Sequence, residues 1–303
     1  MSNGEWQYVS KRRSRRGVPH ERQDLCASVV SASGTDDSQL AMDRLTEQVA
    51  VCERNMLESA WTTFVIQQVR LALTCSSDVP RRFSKVVALG LGSFEASANA
   101  RYQLALLRLL LASEHLHEFF AGDSGQGVAV QIFDPVMSAL DREFLRVNFP
   151  MYEQREVSSQ DTTCFAASQD APLFMYMPHC GRTLYHNVLH ANWSSKAELT
   201  QLIVLGNSFR MYAEQYEFRR QDDKPDASYV ETCVNNELVK ELPLSVHHLA
   251  FHVEVQLQYM FNDLSVHSFP RAQLEAAHAS VWSLNLPLAD LAARQGEMRI
   301  KKI

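Results

Sequence analysis

Two hydrophobic patterns alternate along the chain and predict different elements. Short apolar runs lie within KVVALGLGSF at 85 to 94, in VAVQIFDP at 128 to 135, in LFMYM at 173 to 177 and in LIVLG at 202 to 206, and predict strands near residues 86, 129, 174 and 203. In LFMYM and LIVLG the unbroken apolar character predicts strands covered on both faces, as in the parallel sheet of an α/β domain. FLRVNF at 144 to 149 reads as a further strand, reached through a short helix over residues 136 to 141. Leu264 to His267 reads as a last strand, entered from the polar turn Asn262-Asp263.

The second pattern is helical. Leu45, Val49, Cys52 and Met56 recur at spacings of four, three and four, and Trp61 and Phe64 continue the apolar content. This predicts one long amphipathic helix packed on the main domain, with Cys52 as a small core hydrophobe. Tyr102, Leu104, Leu107 and Leu111 predict a helix from about Ser97 to His115, and NSFRMYAEQYEF predicts another from near Ser208. Six strands with helices between most of them specify an α/β fold: a single doubly wound, mostly parallel, Rossmann-like sheet with flanking helices and right-handed crossovers. Residues 1 to 39 are polar and without period, which predicts a disordered arm. Residues 40 to 80 form the helical region, and residues 81 to 303 the α/β domain with a C-terminal extension.

Charge narrows the partners. A net charge of -6 and a pI near 6.0 give no general footprint for nucleic acid or an anionic membrane. Within the arm, Lys11, Arg12, Arg13, Arg15 and Arg16 form a local basic run, which reads either as a nuclear import signal or as a solvated charge run. Six cysteines occur without a C-x-x-C pair, MSNGEWQYVS carries no apolar signal, and LALLRLLLA at 104 to 112 is broken by Arg108. A spanning helix needs about 20 apolar residues, so the expectation is a protein of the reducing cytoplasm, with nuclear entry through the arm.

Candidate chemistry lies at the strand ends. In a doubly wound sheet the crevice opens beyond the carboxyl ends of the strands. There the sequence places Gly90, Gly92, Ser93, Asp134, His179, Cys180, Asn207 and Ser208, with Asn262 and Asp263 as further polar candidates. GLGS would let backbone N–H groups approach an anion at the start of the following helix. The G-x-G-x-x-G pattern is broken by Glu95, and Asp134 lies 42 residues after Gly92 where a ribose-binding carboxylate is expected about 20 on. S-adenosylmethionine or a nucleotide and a plain strand-to-helix turn therefore stay level. Asn207 and Ser208 are candidate N-caps whose spare donors would suit a carboxylate or phosphate.

Pro178 stops its strand, leaving His179 to pin the turn over Tyr185, while Trp193 anchors the return of the helix. His186 and His190 share a helical face and read as a surface or hydrogen-bonded pair. No close ligand array supports a structural zinc, and His248 and His252 lack the H-E-x-x-H order of a zinc hydrolase. Heme would find axial candidates in His179, Cys180, His248 or His252.

VALGLGSF at 87 to 94, FDP at 133 to 135, MPHC at 177 to 180 with Tyr185 and Asn192-Trp193, VLGNSF at 204 to 209, and FNDLSVHSF at 261 to 269 together resemble the SRR-like domain family, named for sensitivity to red light reduced. Trp6 ahead of KRRSRR resembles the animal members, and the likeness covers about residues 1 to 20 and 55 to 270. The resemblance implies a regulator connected with circadian clock gene expression, with light signalling in plants, with regulation of heme biosynthesis in animals and with microtubule-related processes in a fungal relative. It implies no defined reaction and no catalytic set.

Four readings follow. The leading one is a regulator, more a binding protein than an enzyme, that senses a small molecule or holds a protein partner at the strand-end crevice. The others are a methyltransferase-like or nucleotide-dependent enzyme using Gly90, Gly92 and Asp134, a heme sensor, and an adaptor that docks through exposed Leu45, Val49 and Met56.

Overall fold

The computed structural model describes residues 33–74, 82–121, 127–153, 162–218, 226–244, 257 and 260–289. Its centre is a six-stranded sheet: β1 (Lys85–Leu89), β2 (Ala129–Phe133), β3 (Leu173–Met177), β4 (Leu202–Asn207), β5 (Lys240–Pro243) and β6 (Leu264–Ser268), in the order β2-β1-β3-β4-β6-β5. β1 to β4 are mutually parallel, while β6 runs antiparallel to both β4 and β5. The fold is therefore α/β with a mixed, mostly parallel sheet.

The sheet is flanked by α1 (Ser33–Leu57), α2 (Ala60–Thr74), α3 (Ala98–Ala112), α4 (His117–Phe120), α5 (Ala139–Asn148), α6 (Arg182–Asn192), α7 (Lys196–Leu199), α8 (Phe209–Glu217), α9 (Tyr229–Asn235), α10 (Arg271–Ala276) and α11 (Ala279–Trp282). The period of two sorts each strand between two cores. Val86, Ala88, Phe174, Tyr176, Ile203 and Leu205 join the core under α1, α2, α3 and α5. Val87, Leu89, Met175, Met177, Leu202 and Val204 join the one under α6, α8 and α9. Every residue of β3 is buried, as its unbroken apolar run requires.

The structure corrects several expectations. FLRVNF is not a strand: it lies in α5, where Ser138 and Asp141 form a reciprocal capping box and Phe144 and Leu145 turn inward. Capping satisfies the first-turn N–H groups, and the period from Phe144 outweighs the β-branched content of the run. The sixth strand is instead KELP, an edge strand whose residues are exposed or half-buried. The helix expected from residue 42 starts at Ser33, inside the stretch assigned to the arm, and is broken at Ser59, whose Oγ accepts the Trp61 N–H at 3.2 Å. Leu45, Val49, Cys52 and Met56 are all buried, so they build the core and offer no docking face. Trp61 Nε1 donates to the Leu244 carbonyl at 2.9 Å while its ring stacks on Phe261, joining α2 to the β5–β6 end of the sheet. The basic run at 11 to 16 and the histidines at 248 and 252 lie outside the described residues.

Candidate functional site

Because β1 to β4 are parallel, their carboxyl ends share one edge. β6 is antiparallel, so its entrance meets the same edge, and that brings Asn262 and Asp263 there. The strand order reverses between β1 and β3, which flank each other although β2 intervenes in sequence.

The β1 end is built around two left-handed glycines, Gly90 at φ 71° and Gly92 at φ 80°. The Gly90 N–H donates to the Phe133 carbonyl at 3.0 Å, and the Gly92 N–H to Asp134 Oδ2 at 2.7 Å. The other carboxylate oxygen, Asp134 Oδ1, accepts the Val136 N–H at 2.9 Å. Ser93 is buried, and its Oγ accepts the Ala96 N–H. α3 begins only at Ala98, with Ser97 as its cap, so GLGS does not open directly into a helix. The anion cradle expected from GLGS is thus answered from within, by the protein's own carboxylate on Gly92. Asp141, which sequence reasoning missed, is fully buried and accepts the Glu95 N–H at 2.8 Å, tying this loop to α5. The signal was present in its spacing from Ser138.

At the β3 end, Cys180 fills the space above Gly90 and its Sγ donates to the Leu89 carbonyl at 3.2 Å. Burial, reinforced by the charge of Asp134, raises the titration of this thiol, so it stays protonated and is a poor nucleophile or heme thiolate. His179 takes the left-handed conformation at φ 59°, sends its N–H to Asn207 Oδ1 at 2.8 Å and pairs its Nε2 with the Met260 carbonyl. Its ring packs on Phe261 and stays exposed to solvent on its other side. Axial ligation of heme through that nitrogen would require breaking the Met260 bond.

Asn207 joins these pieces. Its N–H donates to the Tyr185 hydroxyl at 2.7 Å, and its Nδ2 to the Tyr212 hydroxyl at 3.0 Å. Tyr185 in turn donates to the Met177 carbonyl at 2.5 Å, and Tyr212 to the Cys180 carbonyl at 2.6 Å. Burial raises both phenols, which keeps them as donors. Gly206 makes the arrangement possible, since a Cβ there would sit 2.5 Å from the Tyr185 oxygen. Tyr185 therefore lies under Gly206, and the ring under His179 is Phe261. Ser208, rather than Asn207, caps α8 by accepting the Met211 N–H, and its own N–H reaches the Asp263 carbonyl at 2.8 Å.

The ten residues chosen from the sequence all lie at this edge: hydrogen bonds join Asp134 to Gly92, His179 to Asn207 and Ser208 to Asp263, Cys180 packs over Gly90, and Asn262 adjoins Asp263 in the turn. The exposed side chains are His179 and Asn262, and Asp134, Asn207, Ser208 and Asp263 are half-buried. Many donors and acceptors in the lip are answered from within the protein. No group of three His, Cys, Asp or Glu residues suited to a metal occurs among the described residues. No helix among them is long and apolar enough to cross a membrane. A shallow cleft of about 240 Å³ between α1, α3 and α5, lined by Glu53 and Arg108, lies outside the lip.

His186 and His190 are not a bonded pair. His186 is buried against Tyr229, and burial lowers its titration. Trp193 stacks on the same tyrosine at 4.2 Å, anchoring the end of α6.

Residues 56–268 match the family model of the SRR1 domain. The chain is 26% identical over 233 residues to Protein SENSITIVITY TO RED LIGHT REDUCED 1 of Arabidopsis thaliana, across 72% of this chain and 76% of that one. It is 29% identical over 189 residues to the SRR1-like protein of Mus musculus, across 60% and 68%. With the SRR1-like protein of Drosophila melanogaster it shares 26% over 211 residues, across 69% and 64%. Plant and animal relatives stand at nearly the same identity, so these comparisons assign the family and not a branch of it. The matched span runs from the last turn of α1 to the end of β6 and contains the whole lip. This chain belongs to the SRR1 domain family.

Proposed function

We propose that the chain is a regulatory, non-catalytic member of the SRR1 family that acts by binding a small molecule or a protein partner at the strand-end lip. The observation that carries this reading is the hydrogen-bonded closure of the lip around Asn207. Its cysteine is held protonated by burial and its carboxylate is engaged by two backbone N–H groups, an arrangement suited to presenting a fixed surface. The processes we assign to it come from the family resemblance: regulation of heme biosynthesis and expression of circadian clock genes, in an animal-type member working in the cytoplasm and nucleus.

A second reading is favoured by one feature, the reversal of strand order between β1 and β3, since open α/β sheets take ligands at such points. On this reading the lip holds S-adenosylmethionine or a nucleotide, with Gly90, Gly92 and Asp134 nearest to it, and Asp134 must exchange its bond to Gly92 for the ligand.

Calorimetry of the purified chain with S-adenosylmethionine, common nucleotides and hemin, repeated on His179→Ala, separates the readings. Saturable binding of the first two, with turnover of a methyl or phosphoryl group, replaces the regulatory reading by the enzymatic one. A ligand bound without turnover and weakened in His179→Ala supports a sensor. Absence of any ligand, together with partner binding unchanged by His179→Ala and Asn207→Ala, removes the lip from the account.

A further inference from the structure

Residues 284 to 289, beyond α11, have no regular secondary structure, yet side chains from α6 and α9 tie them down. The Tyr229 hydroxyl donates to the Leu284 carbonyl and accepts the Leu286 N–H, each at 3.1 Å. His186 Nε2 donates to the Pro287 carbonyl at 2.9 Å. The Asn187 amide closes on both main-chain groups of Ala289, with Nδ2 donating at 3.1 Å and Oδ1 accepting at 3.0 Å. The histidine tautomer follows from its other nitrogen: Nδ1 accepts the Tyr229 N–H at 3.2 Å, which leaves the ring proton on Nε2. All five bonds to the segment go to main-chain atoms.

The two sides of this contact are unequal. Leu284 is 39% exposed and Leu288 is 44% exposed, while Leu286 is half-buried against the core under α6 and α9, so none of the segment's leucines is fully buried. An irregular segment with no fully buried apolar side chain belongs to the low end of local stability. On the receiving side His186 is 3% exposed and Asn187 is 2% exposed with the segment in place, and the His186 Nε2–H and the Asn187 amide find their partners on its main chain. The groove is therefore fitted to an occupant that supplies backbone carbonyls and N–H groups. Beside it runs an aromatic row, with His186 on Tyr229 at 5.2 Å, Tyr229 on Trp193 at 4.2 Å and Trp193 against Trp282 at 5.4 Å. The indole N–H groups of Trp193 and Trp282 are buried and have no acceptor among the described residues.

We propose that α6 and α9 form a groove that recognises the main chain of a short apolar peptide containing proline, and that residues 284 to 289 are its exchangeable occupant in cis, displaced by a matching segment of a partner protein. Aromatic-lined grooves suit proline-containing segments, whose restricted backbone loses little entropy on docking. A tethered segment competes at a high effective concentration, so a partner must make bonds that the chain's own segment does not. The two unanswered indole donors supply that margin. The proposal uses none of the lip side chains, so either site can fail without the other.

The test uses the full chain and a labelled, end-blocked peptide of sequence SLNLPLA. Leu286→Pro with Ala289→Pro removes the two N–H groups that the groove accepts, together with the half-buried Leu286 side chain, while leaving the groove residues unchanged. We expect the peptide to bind this folded variant about tenfold or more tighter than the wild type, since two hydrogen bonds of the competing segment are lost. Adding Asn187→Asp should abolish that gain. Equal affinity for both chains, or no saturable binding by the folded variant, overturns the proposal. Hydrogen exchange on the wild type is independent of variant folding: the Leu286 and Ala289 amides should exchange about 100-fold faster than those of β3 and β4. Exchange only through global unfolding would make the segment a fixed part of the fold and overturn the proposal. A dimer formed by exchanging the segment between copies would overturn the assignment to a partner protein.

Discussion

Cys180 occupies the volume that a side chain at position 90 would need: its Sγ lies 2.6 Å from where a Cβ on Gly90 would stand. This contact closes the β1 and β3 ends against each other, and Gly90 also needs its φ of 71°. We expect Gly90→Ala to cost about 2–4 kcal/mol, from left-handed strain together with overpacking. Cys180→Ala in the same chain should return the overpacking part only. Urea denaturation of the two single variants and the double variant measures the coupling; additive losses would mean that the contact carries no energy.

Tyr185 serves two main-chain groups with one hydroxyl, the Met177 carbonyl and the Asn207 N–H. Tyr185→Phe leaves both buried groups short of a partner, at a cost of about 1–3 kcal/mol. Because the ring is retained, the loss should be confined to the β3–β4 ends. Amide exchange at Asn207 should accelerate more than at Val204. Uniform acceleration across β4 would argue against a local lock.

Arg182 and Glu231 form a two-pronged pair at 2.6 Å on each arm, joining the start of α6 to α9, with Arg182 also donating to the Asp226 carbonyl. Both side chains are largely buried. Removing one partner should cost about 3–5 kcal/mol, because the other charge is left in a poorly solvated site. Arg182→Met with Glu231→Leu should recover much of that loss. Thermal unfolding of the single and double variants decides the matter, and a double variant less stable than both singles would contradict this account.

Acid stability should have two components. Burial by itself would raise the titration of Glu241, yet the hydrogen bonds and charge of His267, with donors from Ser208 and Arg210, bring it down from 4.5 to about 2. A depressed carboxylate contributes stability that is complete above its unfolded value and is lost as pH falls from about 4.5 to about 2; here it is on the order of 3 kcal/mol. His186 is a base whose titration is lowered, first by burial, so its contribution is complete above 6.5 and declines below that value. Glu241→Gln should flatten the lower limb and leave the upper one, while His186→Gln should flatten the upper limb. Unfolding free energies measured from pH 7 to pH 3 test both, and an unchanged pH profile in either variant would count against its assignment.

The strands were legible wherever burial on both faces made the chain uniformly apolar. That is why LFMYM and LIVLG read correctly as β3 and β4. KELP was not legible, because an edge strand is half exposed and its pairing with β6 comes from chain brought back from residues 264 to 268. FLRVNF misled because a short apolar run fits either period, and the deciding bonds belong to Ser138 and Asp141, upstream of the run. The candidate site was legible as a set of strand-end residues. Its internal closure was not, since Tyr212, Met260 and Asp141 lie in other elements and carry no local sign of where they will point.

By itself the sequence determined which segments must be buried, where the chain must turn, and which polar residues stand at the turns, because apolar burial and backbone sterics act within a few residues. Only the tertiary structure decided that β6 runs antiparallel and delivers Asp263 to Ser208, that Asp134 turns to Gly92 and Asn207 to His179, and that residues 284 to 289 return to α6 and α9. Those bonds join residues far apart in the chain, and whether a polar group meets a distant partner or solvent is settled by how the whole chain packs.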